Sequence, residues 1–448
     1  MPITTEIKYS QLENRFDSEY YKPEYMEIEK ILSKFDNVEF FGNIVHSFTN
    51  GVEIREFVKE GIPYLRVSDT NREFMVALSE VVFVRESDAE KIKKKIELSF
   101  GDILINRSGT LGISQIVTED IKGCIISSHI IRLTEISSEI NHYFLVTFLN
   151  CKFGRLQILR NNNGGVVPEI NQPSLKSILV PIPHQPFQLH IEKLVKEAFS
   201  KRKIADEKYE QAKQVLEKEL GLDKLKIKEE KIFEAKSSEL FESMRFDAEY
   251  YKPKYKQIIE FLKNSEFEIK KLKEVVKISN KKIDPTKEPS KKIKYVEIGD
   301  IDIFTGEISI KEIYGRDAPS NAKKILKEGD VIISLVRPTR GAITIIPGEL
   351  DNSIATSALV VCKTEEPFRE YLSVFLKSSL GLGQLEKPIS SSMYPTIKIN
   401  DVKNILIPII PKQKQENIAK LIKQSFTLRK EAKQLLEEAK EKVEKMIF

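Results

Sequence analysis

Residues 191–220 read IEKLVKEAFSKRKIADEKYEQAKQVLEKEL, and residues 418–448 read IAKLIKQSFTLRKEAKQLLEEAKEKVEKMIF. In the first stretch Ile191, Leu194, Ala198, Ala205, Ala212 and Val215 keep a three-four spacing, with Lys, Arg, Asp and Glu between them, as a long amphipathic helix requires. A shift of 227 brings up the same stripe at Ile418, Leu421, Ser425, Leu428, Ala432, Leu435, Ala439 and Met446. The lead-ins match as well: ILVPIPHQPFQ at 178–188 and ILIPIIPKQKQ at 405–415. A lone stripe of this kind lies on its own domain as a surface helix. These two runs are longer than an average helix by about four turns, and the small Ala residues on the stripe suit close helix packing with a seven-residue repeat. The expectation is an intramolecular antiparallel pair, a coiled coil whose one member divides the chain and whose other member closes it.

The repetition extends over most of the sequence. RFDSEYYKPEY at 15–25 returns as RFDAEYYKPKY at 245–255, and PYLRVSD at 63–69 as KYVEIGD at 294–300. FGDILINRSGTLG at 100–112 matches EGDVIISLVRPTRG at 328–341, and SSHIIRL at 127–133 matches TSALVVC at 356–362. Ordered matches of this sort make a duplicated module of roughly 220 residues, each a globular part followed by a long helix. Short Ile- and Val-rich runs bounded by Gly, Asp or Asn, such as YLRVSD, VVFVRE, DILINR and GCIISSHIIRL, read as strands. INHYFLVTFLNCKFGRLQILR and FREYLSVFLKSSLGLGQLE show helical spacing instead. The fold class is therefore α+β. In the Gly-Asp pairs of FGDILI and EGDVII, Gly supplies a tight backbone angle and Asp ties the turn.

Composition sets outer bounds. The chain has 448 residues with 41% hydrophobic, enough for two to four domains at roughly 150 residues each. It lacks an apolar run of the ~18 residues a membrane span needs, and its polar first residues do not have the layout of a signal peptide, so a cytoplasmic protein with no membrane contact is expected. Cys124, Cys151 and Cys362 are an odd, scattered set that suits buried small hydrophobes rather than disulfides or zinc. Basic and acidic residues nearly balance, 72 against 67, so distribution matters more than the sum. Residues 270–294 hold 10 Lys against 3 acidic residues, which reads either as a mobile basic loop, with Lys281 and Lys282 at its centre, or as a solvated lysine face.

The sequence carries none of the common catalytic constellations. There is no G-x-x-x-x-G-K-[ST], no G-x-G-x-x-G after a strand and no H-E-x-x-H. His184 and His190 lack a carboxylate partner at metal-site spacing, and no Asn/Asp-Pro-Pro-Tyr/Phe run of an amino-methyltransferase occurs. No metal and no cofactor is expected. Loops are the better candidates. NRSGTLG places Arg107, Ser108 and Thr110 together, and VRPTRG places Arg337, Thr339 and Arg340, a composition suited to phosphate and base-edge contact. Asn161, Asn162 and Asn163, with Gly164, and Ser390, Ser391 and Ser392 precede the lead-ins; they suit either plain linkers or polar readers on a rigid scaffold.

With its duplicated α+β module, its equivalent helices and the apolar-Pro-apolar-Pro lead-ins, the chain resembles the specificity subunit of type I restriction-modification systems. The likeness covers nearly the whole chain. The Glu-Gln pair usual at the helix start is reduced to Gln185 and Gln188 in one copy and to Gln413, Gln415 and Glu416 in the other. The resemblance implies two target recognition domains, 1–183 and 223–410, separated by two long antiparallel helices, 184–222 and 411–448. It implies that the two domains read the two halves of a split double-stranded DNA site, asymmetric because the stretches 47–61 and 281–294 differ in charge. It further implies that the helices dock two methyltransferase (modification) subunits, with Gln188, Leu194, Gln415 and Leu421 at the contact, and that restriction subunits join through them. The chain itself would be non-catalytic. Two other readings stand beside it: the recognition part of a different restriction-modification type, and a coiled-coil scaffold that joins proteins without DNA.

A helix of about 34 residues is roughly 50 Å long, against about 34–36 Å for a turn of DNA. On this reading the helices act as a ruler. Inserting one heptad into both is expected to lengthen the unread gap in the target, checked by methylation mapping; an unchanged gap would count against it.

Overall fold

In a computed structural model of the protein, both amphipathic stretches are single helices, Gln185–Leu220 and Lys412–Ile447, each of 36 residues. The structure describes all residues except 1–5, 9–11, 13–14, 71, 77–80, 164, 229, 231, 391 and 392. Along the C-terminal helix the buried positions are Ile418, Ile422, Ser425, Arg429, Ala432, Leu436, Ala439 and Val443, at alternating steps of four and three. The central helix buries Gln188, Ile191, Val195, Ala198, Ala205, Ala212 and Leu216 on the same period. That is a heptad seam. The expected stripe was one residue off at several places: Leu421, Leu435 and Met446 sit beside the seam, partly buried, while Ile422, Leu436 and Ile447 fill it.

The chain divides into two compact units inside these helices, Met1–Arg202 with Lys430–Phe448, and Lys203–Arg429. Each unit therefore holds one half of each helix. In the first, Ile191, Leu194, Val195 and Ala198 share a core with Ala432, Leu436, Ala439, Val443 and Ile447, and Lys201 meets Glu431 at 2.8 Å. In the second, the Ser425 hydroxyl donates to the Ala205 carbonyl at 2.8 Å, and Lys414 meets Glu219 at 2.8 Å. Positions rise on one helix as they fall on the other, so these halves are antiparallel. Arg429 occupies a seam position almost without exposure and donates to Asp206 at 2.7 Å and to Ser425 Oγ at 3.3 Å. A buried guanidinium left without partners is costly, so this seam accepts only a register that returns them.

The globular part of each unit repeats one sheet order. In the first unit Val45–Asn50, Ile130–Ile136, Ile103–Asn106 and Ser114–Ile116 form an antiparallel sheet in that order. In the second, Lys277–Ile278, Leu359–Lys363, Val331–Ser334 and Ile343–Ile345 do the same. A second sheet in each unit contains one parallel pairing, Ile62–Leu65 with Ile125–Ile126 and Lys292–Val296 with Ile354–Thr356. The Gly-Asp turns behave as read. Gly101 and Gly329 have φ of 86° and 80°, and the buried Asp102 and Asp330 accept from the backbone N–H of Ser99 (2.8 Å) and Lys327 (2.9 Å).

Each run of helical spacing is broken into two helices, His142–Asn150 with Lys152–Arg160 and Phe368–Lys377 with Ser379–Glu386. The close packing at each break requires glycine. A Cβ on Gly154 would lie 2.2 Å from the Phe148 carbonyl oxygen, and one on Gly381 2.4 Å from that of Phe375. The proline lead-ins are short edge strands, Leu179–Pro181 on Val38–Phe40 and Leu406–Ile409 on Glu268–Lys271, where a missing N–H is tolerated. A glutamine closes each strand's free side. Gln157 exchanges two hydrogen bonds with the backbone of Leu179 (2.9 and 3.0 Å), and Gln384 does so with Leu406 (2.8 and 3.1 Å). The three cysteines are free and buried, and burial pushes the Cys151 and Cys362 thiols up to about 12.

Within the second unit the ammonium of Lys377 lies 5.6 Å from the Tyr209 ring centre. Burial, then the nearby charges of Arg429 and Lys213, pull it down to about 7. Between that value and the ordinary 10.5, the unfolded chain binds the proton that the folded chain does not, so stability rises with pH across the window. Lys377→Met is expected to raise the melting temperature at neutral pH by a few degrees and to flatten the climb toward pH 10 relative to the parent. Parallel melting curves in both proteins would show that Lys377 is not the source.

Candidate nucleic-acid interface

The repeated RFD motif is a clamp on a loop. Arg15 pairs with Asp17 at 2.8 Å and lies over the Tyr20 ring at 4.8 Å, which leaves its outer nitrogens free to donate to the Asn162 carbonyl (2.9 Å) and Asn163 Oδ1 (3.1 Å). Arg245 repeats this with Asp247 at 2.6 Å and Tyr250 at 4.9 Å, and donates to the Pro388 and Ile389 carbonyls at 3.0 and 2.8 Å. Tyr21 and Tyr251 donate back to the carbonyls of Arg15 (2.8 Å) and Arg245 (2.7 Å). The hydrogen bond from the neighbouring guanidinium, above all, holds the Asp17 and Asp247 carboxyls below their ordinary range.

A second loop, the one that follows the central strand of the antiparallel sheet, ties into the clamped loop from the other side. In the first unit Ile170 donates to the Arg107 carbonyl at 2.8 Å, Ser108 bridges to Glu169, and the Arg107 guanidinium pairs with the Glu169 carboxylate. In the second, Arg337 donates through its backbone to the Pro395 carbonyl at 2.6 Å, and Val336 bridges to Thr396. Each unit thus presents one composite surface made from two loops that are far apart in sequence.

The candidate residues separate on this surface. Thr110, Arg337, Thr339 and Arg340 are exposed, as are Lys281 and Lys282; none of these four basic side chains has an ion pair among the described residues. Arg107 differs from these, since its charge is engaged by Glu169. Ser108 is buried, with its hydroxyl 2.6 Å from His129 Nδ1. The asparagines hold the loop together rather than offering its polar edge. Asn161 donates to the Gln157 carbonyl at 3.0 Å, Asn162 Oδ1 accepts from the Glu169 N–H at 2.9 Å, and Asn163 donates to Ser174 at 3.0 Å. Gly164, Ser391 and Ser392 lie outside the described residues. The segment 270–294 is not a loose loop: it contains the 3-10 turn Pro285–Lys287, whose Asp284 cap accepts from Thr286, and the strand Lys292–Val296. Beneath it Lys324 is nearly buried, and burial followed by the charge of Lys282 lowers its pKa.

The four candidate partner contacts are also redistributed. Gln188 is fully buried, accepting from the Asn141 N–H at 2.6 Å and donating to the Pro183 carbonyl at 2.8 Å. Gln415 donates to the Ile410 carbonyl at 2.8 Å. Both amides are buried and turn the lead-in into its helix. Leu194 lies in the first unit's core and Leu421 at the edge of the second's. Sequence reasoning missed the exposed apolar residues of the composite surface, Val166, Val167, Met393 and Tyr394. Their one signal was apolar residues set among Gly, Ser and Pro in a loop. Among the described residues no group of three or more His, Cys, Asp or Glu side chains could hold a metal ion. The surface offers guanidinium, hydroxyl and apolar contacts.

The family described as type I restriction modification DNA specificity domain matches residues 53–214 and 264–441. A curated relative, the type I restriction enzyme HindI specificity subunit of Haemophilus influenzae, is 24% identical over 111 residues, 24% of each chain, so the chain spans about a quarter of that relative's length. Among solved structures, the HsdS subunit from Thermoanaerobacter tengcongensis is 33% identical over 34% of this chain and 40% of its own, with a TM-score of 0.31. The S subunit of a type I restriction-modification system from M. genitalium is 15% identical over 93% of this chain and 96% of its own, with a TM-score of 0.43.

Charge-assisted hydrogen bonds of the kind Arg245 makes contribute about 1.5–3 kcal/mol each. Arg245→Ala is therefore expected to speed amide hydrogen exchange through Ile389 and the segment 393–397 by about tenfold or more, with the sheet strands unchanged. Equal exchange in parent and variant would mean that the loop does not depend on this clamp.

Proposed function

The chain belongs to the family of type I restriction-modification DNA specificity domains, and from that premise we propose that it is the DNA-reading subunit of a type I complex. Its two units read the two halves of an asymmetric bipartite site in double-stranded DNA. Modification subunits dock on the helices, two to a chain, and restriction subunits join through them; methylation and cutting take place on those partners. The observation that supports this reading is the doubled composite surface. One scaffold of clamp, loop and strand is built twice, and what it exposes differs: Thr110 beside Val166 and Val167 in one unit, Arg337 and Arg340 beside Met393 and Tyr394 in the other. A protein reading one symmetric sequence has no use for two different surfaces on one frame. Among the described residues no helix is long and apolar enough to cross a membrane. We place the complex in the cytoplasm because its DNA is there.

Two measurements test the reading. Adenine methylation mapping in a host carrying the full complex should return a single split motif with unlike halves, and exchanging residues 1–183 for those of a relative should change one half only. A palindromic motif, or a change in both halves, would refute independent reading. Backbone contacts from Lys281, Lys282 and Arg340 release counterions, so affinity should fall with salt. Arg340→Ala should reduce the slope of log K against log salt by about 1; an unaltered slope would remove Arg340 from the phosphate contacts.

A further inference from the structure

We propose that the apolar pairs Val166–Val167 and Met393–Tyr394 are base-contacting, specificity-determining residues, one pair for each half of the DNA site. The inference rests on the DNA-reading function above and replaces the polar side chains of the same loops as its readers. Val166 is 102% exposed and Val167 58%; Met393 is 79% exposed and Tyr394 64%. A shift of 227 superposes Val166 on Met393, Val167 on Tyr394 and Pro168 on Pro395. Both copies thus lift two apolar side chains into water at the same place, immediately before a proline; in the first copy the neighbouring Asn161, Asn162 and Asn163 are hydrogen-bonded within the protein.

Three features argue that the exposure is built. First, the scaffold is the same twice over: Arg15 and Arg245 fix the near side of each loop, and the second loop fixes the far side next to the prolines. Exposed apolar residues held on a double anchor are presented rather than left over. Second, Arg337 has φ of 47°, a left-handed conformation that a non-glycine residue resists and that concentrates at functional sites. Its strain is held by the 2.6 Å hydrogen bond to Pro395, and it brings the guanidinium to 5.9 Å from the Tyr394 ring centre. Cation and aromatic face then stand side by side, the combination that stacks on or wedges between bases while neutralising phosphate. Third, the frame is kept while the tip differs in size and shape, two branched aliphatics against a thioether and a phenol. Apolar contact discriminates the thymine methyl and the shape of a base step, so unlike tips on like frames give unlike half-sites.

The test uses the full chain in complex with its modification subunits and a library of duplexes carrying every single-base change in both halves of the mapped site. Methylation rates are measured for the parent, for Val166→Ala with Val167→Ala, and for Met393→Ala with Tyr394→Ala. Because these side chains pack against little of the fold, the melting curves should match the parent. Each double variant is expected to lose tenfold or more of the cognate preference at one half-site, the two variants at opposite halves, with discrimination in the other half intact. Parental discrimination in both variants, or a uniform loss across both halves, overturns the inference. If the parent complex shows no sequence preference on duplex DNA, the DNA-reading function itself falls; if the parent discriminates and the variants do so equally well, only the role of the tips does.

Discussion

The seam along the two long helices is the constraint on which the rest of the structure depends. Both helices keep a heptad of buried positions, and that seam includes small residues on both sides: Ala198 with Ala432 and Ala439 in one unit, Ala205 and Ala212 with Ser425 in the other. Small residues give close approach and little apolar area, so such a seam is specific before it is strong. Its strength comes from the units. Ile191, Leu194 and Val195 extend into the first unit's core, and Leu216, Leu220, Ile418 and Ile422 into the second's. A helix half without its globular part would lose most of its apolar cover.

Duplication then explains which side chains the frame needs. The same jobs are done by equivalent residues: Asp102 and Asp330 at the turns, Gln157 and Gln384 on the edge strands, Gln188 and Gln415 at the helix starts, Arg15 and Arg245 at the loops. Each is a polar side chain satisfying backbone groups that would otherwise be stranded where strands end and loops begin. Burial raises the pKa of the Asp330 carboxyl above its ordinary range. Its counterpart Asp102 has Arg132 at 2.6 Å. The backbone role is shared while the surroundings have diverged.

How much of this was legible follows from the range of each interaction. The Gly-Asp turns were readable because donor and acceptor are three residues apart, and the strands because their Ile and Val runs are local. The helices were readable in existence, but their seam was not fully readable in phase, since Leu421 and Ile422, or Leu435 and Leu436, satisfy the same apolar pattern and packing alone selects between them. The loop side chains were harder to read for the opposite reason. Asn162 and Asn163 look like free polar edges until Arg15 closes on them from about 147 residues away, and Arg107 looks like a free cation until Glu169 returns from 62 residues on. No local pattern carries that information.

The same comparison orders the kinds of residue available to a binding surface. A polar side chain in a loop tends to be claimed by the loop, because unpaired backbone groups are abundant there and an asparagine amide meets them well. An apolar side chain has no such internal use, and an exposed one is excluded from the fold's own hydrogen bonding from the start. On a frame held together by amides and guanidinium groups, the positions that remain for outside contact among the described residues are those the frame does not use: the apolar tips, the cations left without a carboxylate and the exposed hydroxyls of Thr110 and Thr339. That division follows from satisfying the backbone first. It also predicts where variation is tolerated, since Met393 and Tyr394 can change without unseating a hydrogen bond, whereas Asn162 and Arg245 cannot.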